Sequence, residues 1–274
     1  VHAAPAIDAA KAGCHVITEK PMAMNPGQCQ KMIDACAKAG TKLAVGFQYR
    51  YHPATEYLVR ARESGTFGNI MYMKCHALRR RGIPNWGVFG QKHLQGGGPM
   101  IDIGVHVIEM AHYFMGSPKP VAACGNTWTY LGNRKSEVTS HWAGWDYKTY
   151  TVEDLAVGHI RFENGSILQI EASFAAHIEK DRWNFTFMGD KGGGSWDPAA
   201  VFTDRAGTMI NETPAWLDPK VDFNSLFPLK LRNWVYACLK GTPLKAPGEA
   251  GLAVQKMLDG VYRAAEASKE VVIK

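Results

Sequence analysis

The sequence predicts an α/β chain in which a short parallel sheet comes first and an α+β region with a mostly antiparallel sheet follows. Two observations carry this. Within the first fifty residues, short apolar runs alternate with helical patterns, as in βαβ units. From residue 121 to 187 strand patterns dominate with few helices between them, as in an antiparallel sheet.

In chain order, residues 5–12 read as a helix stopped by Gly13, and His15-Val16-Ile17-Thr18 as a short buried strand. Asn25-Pro26 supplies an N-cap and a first-turn proline for a helix ending near Gly40. Its Cys29, Met32, Ile33, Cys36 and Ala37 fall at helical spacing on one face. Residues 42–47 form a second buried strand, and the change of pattern near residue 48 separates the two regions. His52-Pro53 opens a helix through Arg62, residues 70–78 read as a longer strand, and residues 100–115 as a helix. Glu163-Asn164-Gly165-Ser166 signals a hairpin. Two helices, near 229–239 and 249–267, close the chain, and periodicity leaves open which region they pack on.

Composition narrows the function classes. The chain has 274 residues, 46% hydrophobic and 20% charged, as in ordinary globular proteins. Its net charge of +6 is dispersed, and Arg79-Arg80-Arg81 is the one basic run, too short for a nucleic-acid or membrane patch. No run of about eighteen apolar residues is long enough to span a bilayer. The six cysteines form no CxxC pair and read as buried free thiols of a reducing compartment, which predicts a cytoplasmic protein.

Chemistry concentrates in a few places. Glu19-Lys20-Pro21 ends the first strand, where open α/β sheets bind ligands, and Lys20 could donate to a substrate oxygen or move its proton. It could equally be a solvated turn. Gly96-Gly97-Gly98-Pro99 leads into a helix carrying Asp102 and His106 four residues apart on one face. That pair could bind and deprotonate a hydroxyl, or be a helix-start carboxylate beside a core histidine. Gln48-Tyr49-Arg50-Tyr51-His52 leaves the same sheet end as Lys20. Arg79-Arg80-Arg81 through Asn85-Trp86 could lay guanidinium and indole groups over a ligand, or form an exposed basic turn. No metal site is expected, since His106, Glu109 and His112 lack the HExxH spacing. Gly192-Gly193-Gly194 lacks the lysine of a phosphate loop and reads as a flexible turn.

Taken together, Glu19-Lys20-Pro21, then Val45-Gly46-Phe47-Gln48-Tyr49-Arg50, then the stretch from Gly97-Gly98-Pro99 through Asp102 to His106 resemble the ordered signatures of the Gfo/Idh/MocA oxidoreductases. Glu153-Asp154 and Arg161-Phe162-Glu163-Asn164-Gly165 are similar too. The resemblance implies a partial Rossmann-type parallel sheet over residues 1–48 and, over 49–274, a substrate and oligomerisation domain with a large open sheet. It implies hydride transfer between NAD or NADP and a hydroxyl carbon of a sugar, cyclitol or polyol. Lys20, His106 and Asp102 would be catalytic, and Glu19, Lys20, Pro21, Gln48, Arg50 and Trp86 would contact the cofactor. An NAD-dependent glycosidase, or a non-catalytic sugar-binding or assembly subunit, is the alternative. A homo-oligomer, dimer or tetramer, through the sheet is expected. The family's Gly-x-Gly-x-x-Gly turn is absent from this sequence, so the resemblance predicts an N-terminally truncated chain.

Overall fold

In the computed structural model, which describes residues 2–142 and 144–274, the first region contains helix α1 (Ala3–Lys11), strand β1 (Val16–Thr18), helix α2 (Pro26–Ala39) and strand β2 (Leu43–Val45). β1 and β2 pair in parallel, with Val16 opposite Leu43 and Thr18 opposite Val45. The side chain of Asn25 accepts the Gln28 N–H at 3.0 Å, and Gly40 closes α2 at φ 67°. A 3₁₀ turn at Gln48–Tyr51 then leads to helix α3 (Pro53–Glu63), whose first N–H groups include Ala54 N donating to the His52 ring.

The second region is a nine-stranded sheet. Its strands are β3 (Ile70–Leu78), β4 (Pro120–Trp128), β5 (Leu155–Phe162), β6 (Ile167–Ser173), β7 (Arg182–Gly189), β8 (Gly192–Ser195), β9 (Ala200–Arg205), β10 (Thr208–Glu212) and β11 (Val271–Val272). The order is β10-β9-β8-β7-β3-β6-β5-β4-β11, antiparallel throughout except for the parallel pair β3–β6. Two short helical pieces, α4 (Lys92–Gln95) and α5 (Val105–Phe114), lie between β3 and β4. Alternation along β3 buries Met73, Cys75 and Ala77 on the face that α5 covers. There Phe114 packs on Phe185 and Phe187, with ring centroids 5.5 and 4.5 Å away. Helix α6 (Leu226–Lys240) packs on the Gln48–Tyr51 turn, and α7 (Gly248–Ala267) lies against β4, α2 and β2. α7 therefore ties the two sheets together, which periodicity had left open.

Three expectations change. Gly192 to Gly194 are strand β8, not a flexible turn; a Cβ at Gly193 would stand 2.7 Å from the Phe187 carbonyl, so the glycines permit close strand packing. The helix expected at 100–115 opens with a wide π turn at Met100–Gly104 before α5 begins. The cysteines are all free, but Cys14 and Cys124 are exposed.

Candidate active site

Glu19-Lys20-Pro21 follows β1 directly, with a cis peptide between Lys20 and Pro21. The Lys20 ammonium donates to the main-chain oxygen of Asp102 at 2.6 Å and to its carboxylate at 2.9 Å. Asp102 is buried, and the Lys20 side chain keeps 18% exposure. The π turn that carries Asp102 is a widening of the helix of the kind often found at functional sites. Glu153 holds this turn: its carboxylate accepts the N–H groups of Gly98 and Met100 at 2.8 and 3.2 Å and the Tyr262 hydroxyl at 2.7 Å. Side chains at Gly97 and Gly98 would collide with Tyr262 and with the Glu153 backbone, so two glycines are needed where the loop passes. Next to it, one oxygen of Asp154 accepts three successive N–H groups, from Tyr130, Leu131 and Gly132, and fixes the start of the 131–149 loop.

His106 follows Asp102 and is buried edge-on to Tyr49, with ring centroids 5.4 Å apart, and near Trp183 at 5.9 Å. Burial, together with the charges of Lys20, Lys230 and Arg79, holds its imidazole well below the usual histidine value. At neutral pH His106 is therefore an uncharged base. Burial pushes the Tyr49 hydroxyl up to about 12. Arg79, just past β3, donates to the Gly82 carbonyl at 3.0 Å, and its charge acts on Asp102 and Tyr49. Lys230, buried in α6, pairs with the Glu19 carboxylate. Three cations, two carboxylates and one neutral imidazole thus lie near one another, leaving net positive charge that can stabilise negative charge developing on oxygen.

The structure brings Lys20, Asp102 and His106 together, with Glu19 alongside. Pro21 contributes its carbonyl, which accepts from the His2 ring at 2.8 Å. Gln48 is buried, and its carboxamide oxygen has no partner among the described residues. Arg50 is placed elsewhere: its guanidinium pairs with Glu109, donates to the Lys245 carbonyl and lies 4.4 Å from the Tyr113 ring. Trp86 is not in the cluster either, being 54% exposed and stacked on Trp142. Glu109 and His112 are also taken, by Arg50 and by the Pro118 carbonyl. A cavity of about 470 Å³ lined by Arg50, His112, Tyr113, Pro118 and Leu252 includes none of Lys20, Asp102 or His106. The Lys20–Asp102–His106 cluster marks the better candidate site. Lys230 went unsuspected in the sequence, although a lysine inside the apolar helical run Phe227-Pro228-Leu229-Lys230-Leu231 is a usable signal.

A short parallel strand pair followed by a large, mostly antiparallel sheet places the chain with nicotinamide-dependent oxidoreductases that carry a separate α/β domain. Residues 62–273 match the family described as the oxidoreductase family, C-terminal alpha/beta domain, and residues 1–47 match its NAD-binding Rossmann fold. The chain belongs to the Gfo/Idh/MocA oxidoreductase family. It is 37% identical over 265 residues to a D-glucoside 3-dehydrogenase of Escherichia coli, covering 96% of this chain and 74% of that one. It is 31% identical over 202 residues to a levoglucosan dehydrogenase of Pseudarthrobacter phenanthrenivorans, covering 70% of this chain and 51% of the relative. A solved levoglucosan dehydrogenase in complex with NADH and L-sorbose shares the fold, at a TM-score of 0.86 and 24% identity over 100% of this chain and 77% of that one.

Proposed function

We propose that this chain carries the catalytic and sugar-binding part of an NAD-dependent dehydrogenase that oxidises a secondary ring hydroxyl of a glucoside or a closely related sugar. The observation that carries the reading is the contact of Lys20 with Asp102 beside the neutral His106. Residues 1–48 would form the cofactor side and residues 49–274 the substrate side.

The residues at the carboxyl ends of β1 and β2 suit a nicotinamide. The unpartnered Gln48 oxygen is an acceptor of the kind a carboxamide N–H needs, and Glu19, Lys20 and Pro21 line the adjoining strand end. A bound nicotinamide supplies the hydride acceptor. His106, uncharged and desolvated, accepts the proton of the reacting hydroxyl. Lys20 has three N–H donors and spends two on Asp102, which leaves one for the oxygen as its charge grows. Asp102 aims that ammonium, and its carboxylate can also take a neighbouring sugar hydroxyl. Arg79 and Lys230 add positive potential without being consumed, and the Tyr49 and Trp183 rings keep water from the imidazole.

The face of the nine-stranded sheet opposite α5 would join copies of the chain. It presents Tyr72, Lys74 and His76 on β3 and Gln169 and Glu171 on β6, with Met188 and Phe202 exposed toward one edge. The free cysteines suit a cytoplasmic location.

The test is NADH formation by the full-length protein with glucosides and related sugars, compared with Lys20→Ala and His106→Ala. The reading expects turnover by the parent protein and a drop of at least about a hundredfold in each variant. Turnover that survives both substitutions would remove the assignment.

A further inference from the structure

Outside the cluster, the chain carries an aromatic surface that the chemistry above does not use. Trp86 stacks on Trp142 with ring planes 7° apart and centroids 5.7 Å apart, and Phe89 props Trp86 edge-on at 5.9 Å. Trp142 lies 4.6 Å from the Arg79 guanidinium. Arg79 is the same side chain whose charge acts on Asp102 and His106. One arginine therefore sits against the stacked indoles while its charge acts on Asp102 and His106. Although Phe89 and Arg79 order it, the Trp86–Trp142 pair leaves Trp86 54% exposed. An ordered, flat, open indole surface is costly to leave facing water and well shaped for a ring.

We infer that this pair is the receiving platform for the aglycone of a glycoside, and that the enzyme is selective for glucosides whose aglycone is itself a ring. The inference rests on the dehydrogenase reading and names the substrate class of that site. The reacting sugar ring occupies the space between Lys20 and His106. Its glycosidic substituent extends past Arg79 and lays a flat apolar face on Trp86. A methyl aglycone is too small to cover the indole, whereas a phenyl group or a second pyranose covers it.

The experiment compares phenyl and methyl glucosides, in both anomeric forms, as substrates of the NAD-saturated full-length enzyme. Fluorescence titration of the NADH-loaded protein with the same two ligands reads binding without turnover. The parent enzyme is expected to favour the phenyl glucoside by about fivefold in KM and in Kd, the worth of one aromatic contact. Trp86→Ala should bring the two glucosides within about twofold of each other, and Trp86→Phe should restore part of the difference. Loss of affinity for both glucosides equally, or a change that falls on NAD instead, would overturn the platform. Oxidation of both glucosides by the parent with no phenyl preference would overturn the platform and leave the dehydrogenase reading intact. Phenyl-selective binding with oxidation of neither would do the reverse.

Discussion

Two buried ion pairs join the small parallel sheet to the segment around α5, and their difference separates function from structure. Arg50, after β2, meets Glu109 with side chains 3% and 1% exposed, and Arg50 also donates to the Lys245 carbonyl and covers Tyr113. Lys20, after β1, meets Asp102 with 18% of the lysine side chain still exposed and one ammonium proton uncommitted. The sealed pair cannot reach a ligand without coming apart. The open pair adjoins an uncharged histidine and two further cations, and in the proposed reaction that incompleteness leaves a donor for the reacting hydroxyl.

Breaking the open pair should cost mainly rate. Lys20→Ala is expected to lower kcat by about a thousandfold with a smaller fall in melting temperature than the sealed pair shows, since Arg79 still acts on the buried Asp102 carboxylate, checked by NADH formation and calorimetry on the same samples. The sealed pair should behave in the opposite way. Glu109→Gln leaves the Arg50 charge buried without its counter-ion, so a loss of about 3 kcal/mol of stability is expected in denaturant titrations, with kcat per folded molecule retained.

Two pH effects sharpen the contrast. His106 is charged only below its depressed value, so kcat/KM for oxidation should hold level downward through pH 6.5 and fall at lower pH; Lys20→Met, which removes one of the depressing charges, should move that fall to higher pH. His112, behind the sealed pair, is held down to about 4 by burial and faces the Pro118 carbonyl. The unfolded chain takes up this proton near 6.5 and the folded chain only near 4, so its contribution is fully present above 6.5 and is lost as pH falls toward 4. The loss is on the order of 3 kcal/mol, and His112→Gln should flatten that part of the stability curve. The smallest effect is expected at Gln48. Gln48→Ala removes a buried acceptor without a partner, and calorimetry should show NADH affinity weakened by about threefold to tenfold.

Features governed by near neighbours were readable from the sequence. The caps at Asn25 and Gly40, the strand Ile70–Leu78 and the hairpin with Gly165 at φ 84° each depend on a few consecutive residues. Lys20, Asp102 and His106 were readable as well, although 82 residues separate the lysine from the aspartate, because each sits in a motif with its own turn chemistry. Contacts without a local signature were not. Lys230 reaches Glu19 across 211 positions, and Glu153 reaches Tyr262 across 109. Nothing in either partner's neighbourhood announces the other. Gly192 to Gly194 misled because glycine marks turns and close strand contacts alike, and only the neighbouring Phe187 backbone shows which applies. Arg50 pairs with Glu109 because leaving the right end of the sheet does not fix the direction in which a long side chain turns.

The most direct test of the central claim is a single paired measurement on the full-length protein, the NAD-dependent oxidation rate and the unfolding free energy of Lys20→Ala beside Glu109→Gln. A rate collapse with at most a modest stability loss in the first, and a larger stability loss with retained rate in the second, is the predicted result. Equal rates in the parent and Lys20→Ala, or a rate lost only in Glu109→Gln, would place the chemistry somewhere other than the Lys20–Asp102–His106 cluster.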